Sequence, residues 1–277
     1  MIGMRERPDL EITSPANGRV KELVALRRRR ARDAERVMLV EGLEESTLAV
    51  DAGASVRSLF YCPALFLPES AGAATDLVGR VRDSGGETVR LSRSAFEKAA
   101  YREGPDGILL LADSVERSLA ELSGVIGDEP LILVSQGVEK PGNLGAMLRT
   151  ADAAGVSAVI AADPVTDWSN PNVIRGSKGT VFAVPVASAG TEEVVDWLRE
   201  RGIRAVATTP DADVTHTAAD LTGGVAILMG TEKSGLTGDA IARADVRVRI
   251  PMAGLVNSLN VATAAAVVLY EAVRQRR

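Results

Sequence analysis

The chain has 277 residues, 46% of them hydrophobic and 25% charged, with a net charge of −5. This is ordinary globular composition, which excludes wholesale disorder, and the length predicts about two domains because single cores stop growing near ~250 to 300 residues. No apolar run approaches the ~18 residues that cross a bilayer, and the opening MIGMRERPDLEITSP shows no signal-like apolar stretch, so the expectation is a cytoplasmic protein.

The first half alternates helix and strand patterns. A basic helix is predicted over Lys21–Arg36, where the stretch from Arg19 holds eight Lys or Arg against three acids. Such a cationic face suits phosphate backbones through counterion release, although a four-arginine run can also be a solvated helix face. Next come the apolar Val37–Val40, an amphipathic stretch to about Ala52, and a strand at Ser58–Tyr61. A helix near Ala73–Asp83, a strand at Thr88–Leu91, a helix over Ser94–Tyr101 and a strand at Ile108–Ala112 complete it. Residues 10–113 read as one α/β domain, the polar 114–129 as a linker, and 130–277 as a second α/β domain.

In that second domain, short apolar runs at Leu131–Val134, Ala158–Ala161, Val181–Val184, Arg204–Ala207, Ala226–Met229 and Val246–Ile250 predict a mainly parallel sheet buried under helices. The last helix, Ser258–Arg276, carries Ala and Val nearly all round until Tyr270, which predicts burial on more than one side, with a partner subunit as one cover.

A single cysteine, Cys62, and a single histidine, His216, exclude a disulfide framework and a four-ligand zinc site. No calcium loop or Walker lysine loop is present, and no metal is expected. His216 sits in the polar stretch 213–217 without a nucleophile motif and reads as a surface or turn residue.

Ligands of open α/β sheets bind beyond the carboxyl ends of strands, and three such segments carry chemistry. The first runs from Gly137 to Asp152, with a Pro141–Gly142 turn, Asn143 as an N-cap, and Arg149 six residues further on. The second is Met229–Leu236, where glycines let backbone approach a ligand and Glu232 is held between them. The third is Ile250–Asn260, in which Ser258 is placed to cap the last helix and Asn260, a polar residue opening a buried helix, requires a partner.

Together, Asn143-x-Gly145-x-x-x-Arg149-Thr-Ala, Gly230-x-Glu232-x-x-Gly235-Leu236 and Ile250-Pro-Met-x-Gly254-x-x-x-Ser258-Leu-Asn260-Val261 resemble the signatures of the SpoU/TrmH branch of the SPOUT RNA methyltransferases. Asn170-Pro-x-x-x-Arg175-x-Ser177-x-Gly179 is similar to the family's intervening segment. In the first half, Ser14-Pro-x-Asn17-x-Arg19 and Leu39-Val-Glu-Gly42 resemble its ribosomal-protein-L30e-like substrate-binding domain. The chain departs from the family in Ala262–Ala264, where Ser-Val-Ala is common, and in Glu44–Glu45.

The resemblance implies a C-terminal domain with a trefoil knot, S-adenosylmethionine bound in the knotted loops, and a homodimer formed through that domain. The rule that chains avoid knots predicts the opposite of the first. It implies that Met229, Gly230, Ile250, Met252 and Leu259 contact the cofactor. Asn143, Arg149, Glu232, Ser258 and Asn260 would line the reaction site, with Arg149 gripping the target phosphate. The implied activity is 2'-O-methylation of a ribose, with 23S rRNA favoured by the L30e-like half. Arg19, Lys21, Arg27, Arg28, Arg29, Arg30 and Arg32 are then the candidate RNA-binding residues, and Arg102 is a weaker one. Methylation of transfer RNA, methylation protecting against a ribosome-targeting antibiotic, a non-catalytic RNA-binding assembly factor and a small-molecule enzyme are the alternatives.

Overall fold

The computed structural model describes residues 10–277; residues 1–9, part of the opening read for a signal stretch, lie outside the described residues. Two compact units meet at the Ser114/Val115 boundary. Among the described residues, no helix is long and apolar enough to cross a membrane.

The first unit holds β1 (Leu10–Ile12), α1 (Gly18–Ala25), α2 (Arg29–Glu35), β2 (Val37–Glu41), α3 (Leu43–Asp51), β3 (Val56–Tyr61), α4 (Ala71–Asp83), β4 (Glu87–Leu91), α5 (Arg93–Ala99) and β5 (Ile108–Asp113). Its five-stranded sheet has the order β1-β4-β3-β5-β2, parallel across β1-β4-β3 and antiparallel across β3-β5-β2. Val20, Leu23, Phe60, Val89, Phe96 and Leu109 pack its core.

The basic helix expected over Lys21–Arg36 is two helices, broken at residues 26–28. Arg32 explains the break: its guanidinium turns inward and donates from Nη1 to the carbonyls of Leu26 and Arg27, both at 3.0 Å, and the residue is 3% exposed. A long cation that satisfies the orphan carbonyls at the end of α1 fixes the bend. Arg27 in turn donates to the carbonyls of Lys98 (2.8 Å) and Ala100 at the end of α5.

The second unit holds β6 (Glu116–Arg117), α6 (Leu119–Leu122), β7 (Leu131–Gln136), α7 (Pro141–Ala153), β8 (Ala158–Ala162), α8 (Pro171–Gly176), β9 (Val186–Ala189), α9 (Thr191–Glu200), β10 (Arg204–Thr208), β11 (Val214–Thr215), β12 (Val225–Met229), α10 (Gly238–Arg243), β13 (Val246–Arg249) and α11 (Val261–Gln275). Its eight strands, ordered β11-β13-β10-β12-β7-β8-β9-β6, are all parallel. β7, β8 and β12 are buried on both faces, as a parallel sheet under helices requires.

Three expectations are corrected here. The stretch read as a linker contributes β6 to this sheet and α6, opened by a Ser118–Glu121 capping box. Val181–Val184 is not a strand: Thr180–Phe182 is a 3-10 turn entered through Gly179 at φ +83°, and the strand begins after Pro185. Val181 and Val184 are buried all the same, so the apolar run records burial and not pleat. The last helix starts at Val261, three residues later than expected.

Candidate active site

The carboxyl ends of four neighbouring strands, β13, β10, β12 and β7, deliver the loops of one site. A cavity of 460 Å³ is lined by Thr208–Asp211 after β10, Met229–Leu236 after β12, Ile250, Met252 and Asn257–Leu259 after β13, and Val261 and Ala264 of α11. A smaller one of 180 Å³ shares Thr231–Ser234 and Val261 with it, and adds Val138–Lys140 and Asn143 after β7.

Glu232 joins the three loops. Its Oε1 accepts from Asn143 Nδ2 at 2.9 Å and from Asn260 Nδ2 at 2.7 Å, while its Oε2 accepts from Lys140 Nζ at 2.6 Å. Asn260 Nδ2 also donates to Asn143 Oδ1 at 3.1 Å. An ionised carboxylate only accepts, so it turns both amide groups toward itself and fixes their orientation. The Lys140 ammonium, followed by the Asn143 amide, holds the Glu232 carboxyl below its ordinary range, and Glu232 holds the Lys140 ammonium above its own.

Local structure frees these side chains for the network. Pro141, with its fixed φ, occupies the first position of α7, and Lys140 precedes it as N-cap, so Asn143 is not the cap expected from the sequence. Its backbone N–H bonds to the Lys140 carbonyl, leaving the amide for Glu232. Asn260, not Ser258, caps α11: Oδ1 accepts from Ala262 N at 3.0 Å and Thr263 N at 3.4 Å, which points Nδ2 into the site. Ser258 is exposed on the wall of the larger cavity and bonds to none of the three.

Two motif glycines serve close approach. A Cβ on Gly230 would fall 2.0 Å from the Gly235 carbonyl carbon, across a turn closed by the mutual Thr231 and Gly235 backbone bonds. A Cβ on Gly145 would meet Gly176 backbone at 2.7 Å, where α7 crosses α8. The segment 170–179 is the support for that crossing: Asn170 caps α8, and Ser177 Oγ donates to the Ile174 carbonyl.

Of the expected reaction-site residues, Arg149 stands apart. It lies on the exposed face of α7, six residues and a third of a turn from Asn143's direction, and has no partner among the described residues. All five expected cofactor residues, Met229, Gly230, Ile250, Met252 and Leu259, line the larger cavity. Thr208, Lys140 and Lys233 were missed; Thr208 Oγ1 is buried beside that cavity without a partner among the described residues. Lys140 sat in plain view beside Pro141–Gly142, but its role depends on a loop 92 residues away.

The cationic candidates divide. Arg32 is buried and Arg27 half-buried, both committed to carbonyls, so neither is available to RNA. Arg19 pairs with Glu87 at 2.8 Å and Arg29 with Asp33 at 3.4 Å. Lys21, Arg28 and Arg30 are exposed without an ion pair among the described residues. Arg102 is tied to Asp106 at 2.9 Å and to Glu41 at 3.6 Å. His216 follows β11 and its N–H donates to the Arg249 carbonyl, outside both cavities.

Comparison with known proteins agrees with this geometry. Residues 130–270 match the model of the SpoU rRNA Methylase family, and residues 17–110 that of an MRM3-like substrate binding domain. The chain belongs to the SpoU rRNA methylase family. It is 34% identical over 292 residues to a 23S rRNA (uridine(2479)-2'-O)-methyltransferase of Streptomyces viridochromogenes, covering 99% of this chain and 95% of that one. It is 28% identical to the 23S rRNA (guanosine(2553)-2'-O)-methyltransferase RlmP of Bacillus subtilis (strain 168), over 94% of this chain and 98% of that one. A crystal structure of an AdoMet-bound rRNA methyltransferase from Sinorhizobium meliloti superposes with a TM-score of 0.85 at 31% identity, over 95% of this chain and 97% of that one.

The larger cavity fits S-adenosylmethionine. Its volume lies in the range of small-ligand pockets, Leu236, Ile241, Ile250 and Leu259 offer an apolar wall, and Gly230 lets the 231–235 turn close tightly beside it. The unpartnered Thr208 hydroxyl supplies a buried polar group for the ligand to satisfy.

Proposed function

We propose that this protein methylates the 2'-hydroxyl of a ribose in 23S rRNA, using S-adenosylmethionine. The observation that carries the reading is the Asn143–Glu232–Asn260 network, which ties three loops distant in sequence at the junction of the two cavities. When bound, the cofactor supplies an electrophilic methyl group on a sulfonium. The chain's own task is to place a hydroxyl in line with that methyl, and positioning of this kind is worth up to ~7 to 11 kcal/mol.

Glu232 is not the base in this reading. Both its oxygens are engaged and its carboxyl is held low, so it is a poor match for a proton from a hydroxyl. It acts by fixing Asn143 and Asn260; Asn260 is spent on the network and the helix cap, which leaves the second N–H of the Asn143 amide to hold the ribose, with Ser258 alongside. Arg149 of the partner subunit grips the target's phosphate and orients the hydroxyl from across a homodimer interface. Leu255 (107% exposed), Val256 (65%) and Tyr270 (49%) are the apolar surface that a second copy would cover. The knotted threading after β12 and a cytoplasmic site of action belong to the same proposal. The first unit carries RNA on Lys21, Arg28 and Arg30.

The test is to incubate the protein with methyl-labelled S-adenosylmethionine and unmodified 23S rRNA and to map the label. One 2'-O-methylated nucleotide is expected, and no incorporation overturns the proposal. Arg149→Ala should abolish turnover and leave cofactor affinity unchanged; retained turnover removes Arg149 from the site. Sedimentation should give a dimer, and a monomer with full activity excludes a site shared between subunits.

A further inference from the structure

The five expected cofactor residues line the larger cavity and none of them lines the smaller one, which opens onto the same carboxylate. Its wall carries two lysines, Lys140 and Lys233. The Lys140 side chain is 71% exposed although bonded to Glu232, and an ammonium has three donors, so two remain free. Lys233 is exposed and has no partner among the described residues. Two carboxylates, Glu139 and Glu232, share the recess with the two lysines, so what it offers an anion is not surplus charge but the free ammonium donors of Lys140 and Lys233.

The chemistry of a ribonucleotide says what belongs there. The 2'- and 3'-oxygens sit on adjacent carbons, so a 2'-hydroxyl held at Asn143 brings its own 3'-phosphodiester within a few ångströms. Lys140 is one hydrogen bond from the Glu232 that fixes that amide, and it lines the same recess as Asn143. We infer that the smaller cavity receives the phosphodiester on the 3' side of the target ribose, bound by Lys140 and Lys233. Lys140 then bridges phosphate and Glu232, so that seating the RNA backbone and fixing the amide network are one event. The 5'-phosphate is left to Arg149 of the partner subunit. This inference rests on the proposed ribose methylation.

The experiment compares wild type, Lys140→Gln, Lys140→Arg and Lys233→Gln. The readouts are filter binding of 23S rRNA across salt concentrations without cofactor, then KM and kcat for methylation. Each lysine lost should lower the slope of log K against log salt by ~0.7 and raise KM for RNA several-fold, and Lys140→Arg should restore both. Lys233 has no partner among the described residues but lines the larger cavity as well, so the cofactor Kd of its variant is measured alongside, to separate phosphate binding from an effect on the cofactor. Unchanged slope and KM in Lys233→Gln, or a fall of kcat alone in Lys140→Gln, overturns the inference. Wild-type protein that leaves 23S rRNA unmethylated defeats instead the activity on which it rests.

Discussion

Glu232→Gln tests the centre of the site with the smallest change of shape. Glutamine offers one oxygen and one NH2 group where the carboxylate offers two oxygens. If its oxygen faces Asn143 and Asn260, its NH2 faces the Lys140 ammonium and the 2.6 Å bond is lost; the reverse rotamer loses both amides. Hydrogen bonds to charged groups are worth about 1.5–3 kcal/mol and neutral ones about 0.5–1.5, so two weakened amide bonds cost ~2 kcal/mol. The Lys140 pair adds little, because that lysine is 71% exposed and its charge is screened. If the ordering is expressed in the transition state, kcat/KM falls about 30-fold. Single-turnover methyl transfer measures it, with the melting temperature as a check on folding. A kcat/KM within twofold of wild type would refute the role given to the carboxylate.

Gly230→Ala forces a Cβ to 2.0 Å from Gly235 backbone, which cannot move aside as a side chain can; cofactor affinity by calorimetry should drop more than tenfold, and an unchanged Kd would remove the turn from the cavity's construction. Arg32→Ala leaves two carbonyls unpaired at a 3% exposed position and should cost about 2–4 kcal/mol in denaturant unfolding, whereas Arg30→Ala should leave stability alone and lower only the salt dependence of RNA binding. Arg274, with Gln275, pulls the Glu271 carboxyl from 4.5 to about 2. Because the folded-state value lies below the unfolded one, this stabilisation is complete above pH 4.5 and is lost as pH falls through about 2. Acid unfolding between these limits should therefore be shallower in Arg274→Ala.

What the sequence reveals and what it hides follow from the range of each interaction. The three loops were readable because their residues act over a few positions: Gly230 and Gly235 permit a tight turn, and Asn260 caps the helix that follows it. The break at residues 26–28 was not readable, because an arginine run looks like a solvated face until the Arg32 guanidinium turns back onto the carbonyls of Leu26 and Arg27; the partners of Arg27, the carbonyls of Lys98 and Ala100, lie about 70 residues away. Val181–Val184 misled because burial and pleat share the same apolar signature. The cap assignments slipped for one reason: Asn143 and Ser258 suit a helix N-terminus by type, but Pro141 and Asn260 decide where α7 and α11 begin. Arg149 shows the opposite limit: its motif is plain, but the face of α7 that carries it turns it away from the network.

Asn260 does two jobs with the two ends of one amide, and Asn260→Asp separates them. Aspartate caps helices as well as asparagine, so the bonds to Ala262 and Thr263 survive and helix content by circular dichroism should match wild type. The other end changes from donor to acceptor and meets Glu232 Oε1, now 2.7 Å away, with a like charge. Two carboxylates near 4 Å repel by ~1 to 4 kcal/mol between aqueous and surface dielectrics, and the donations to Glu232 and Asn143 are lost as well. Methylation should fall at least ~100-fold with folding intact. Asn260→Ala, which also loses the cap at about 1 kcal/mol, should be as inactive and melt ~2 to 4 °C lower. If Asn260→Asp turns over normally, the amide's reach into the site is incidental to a capping role.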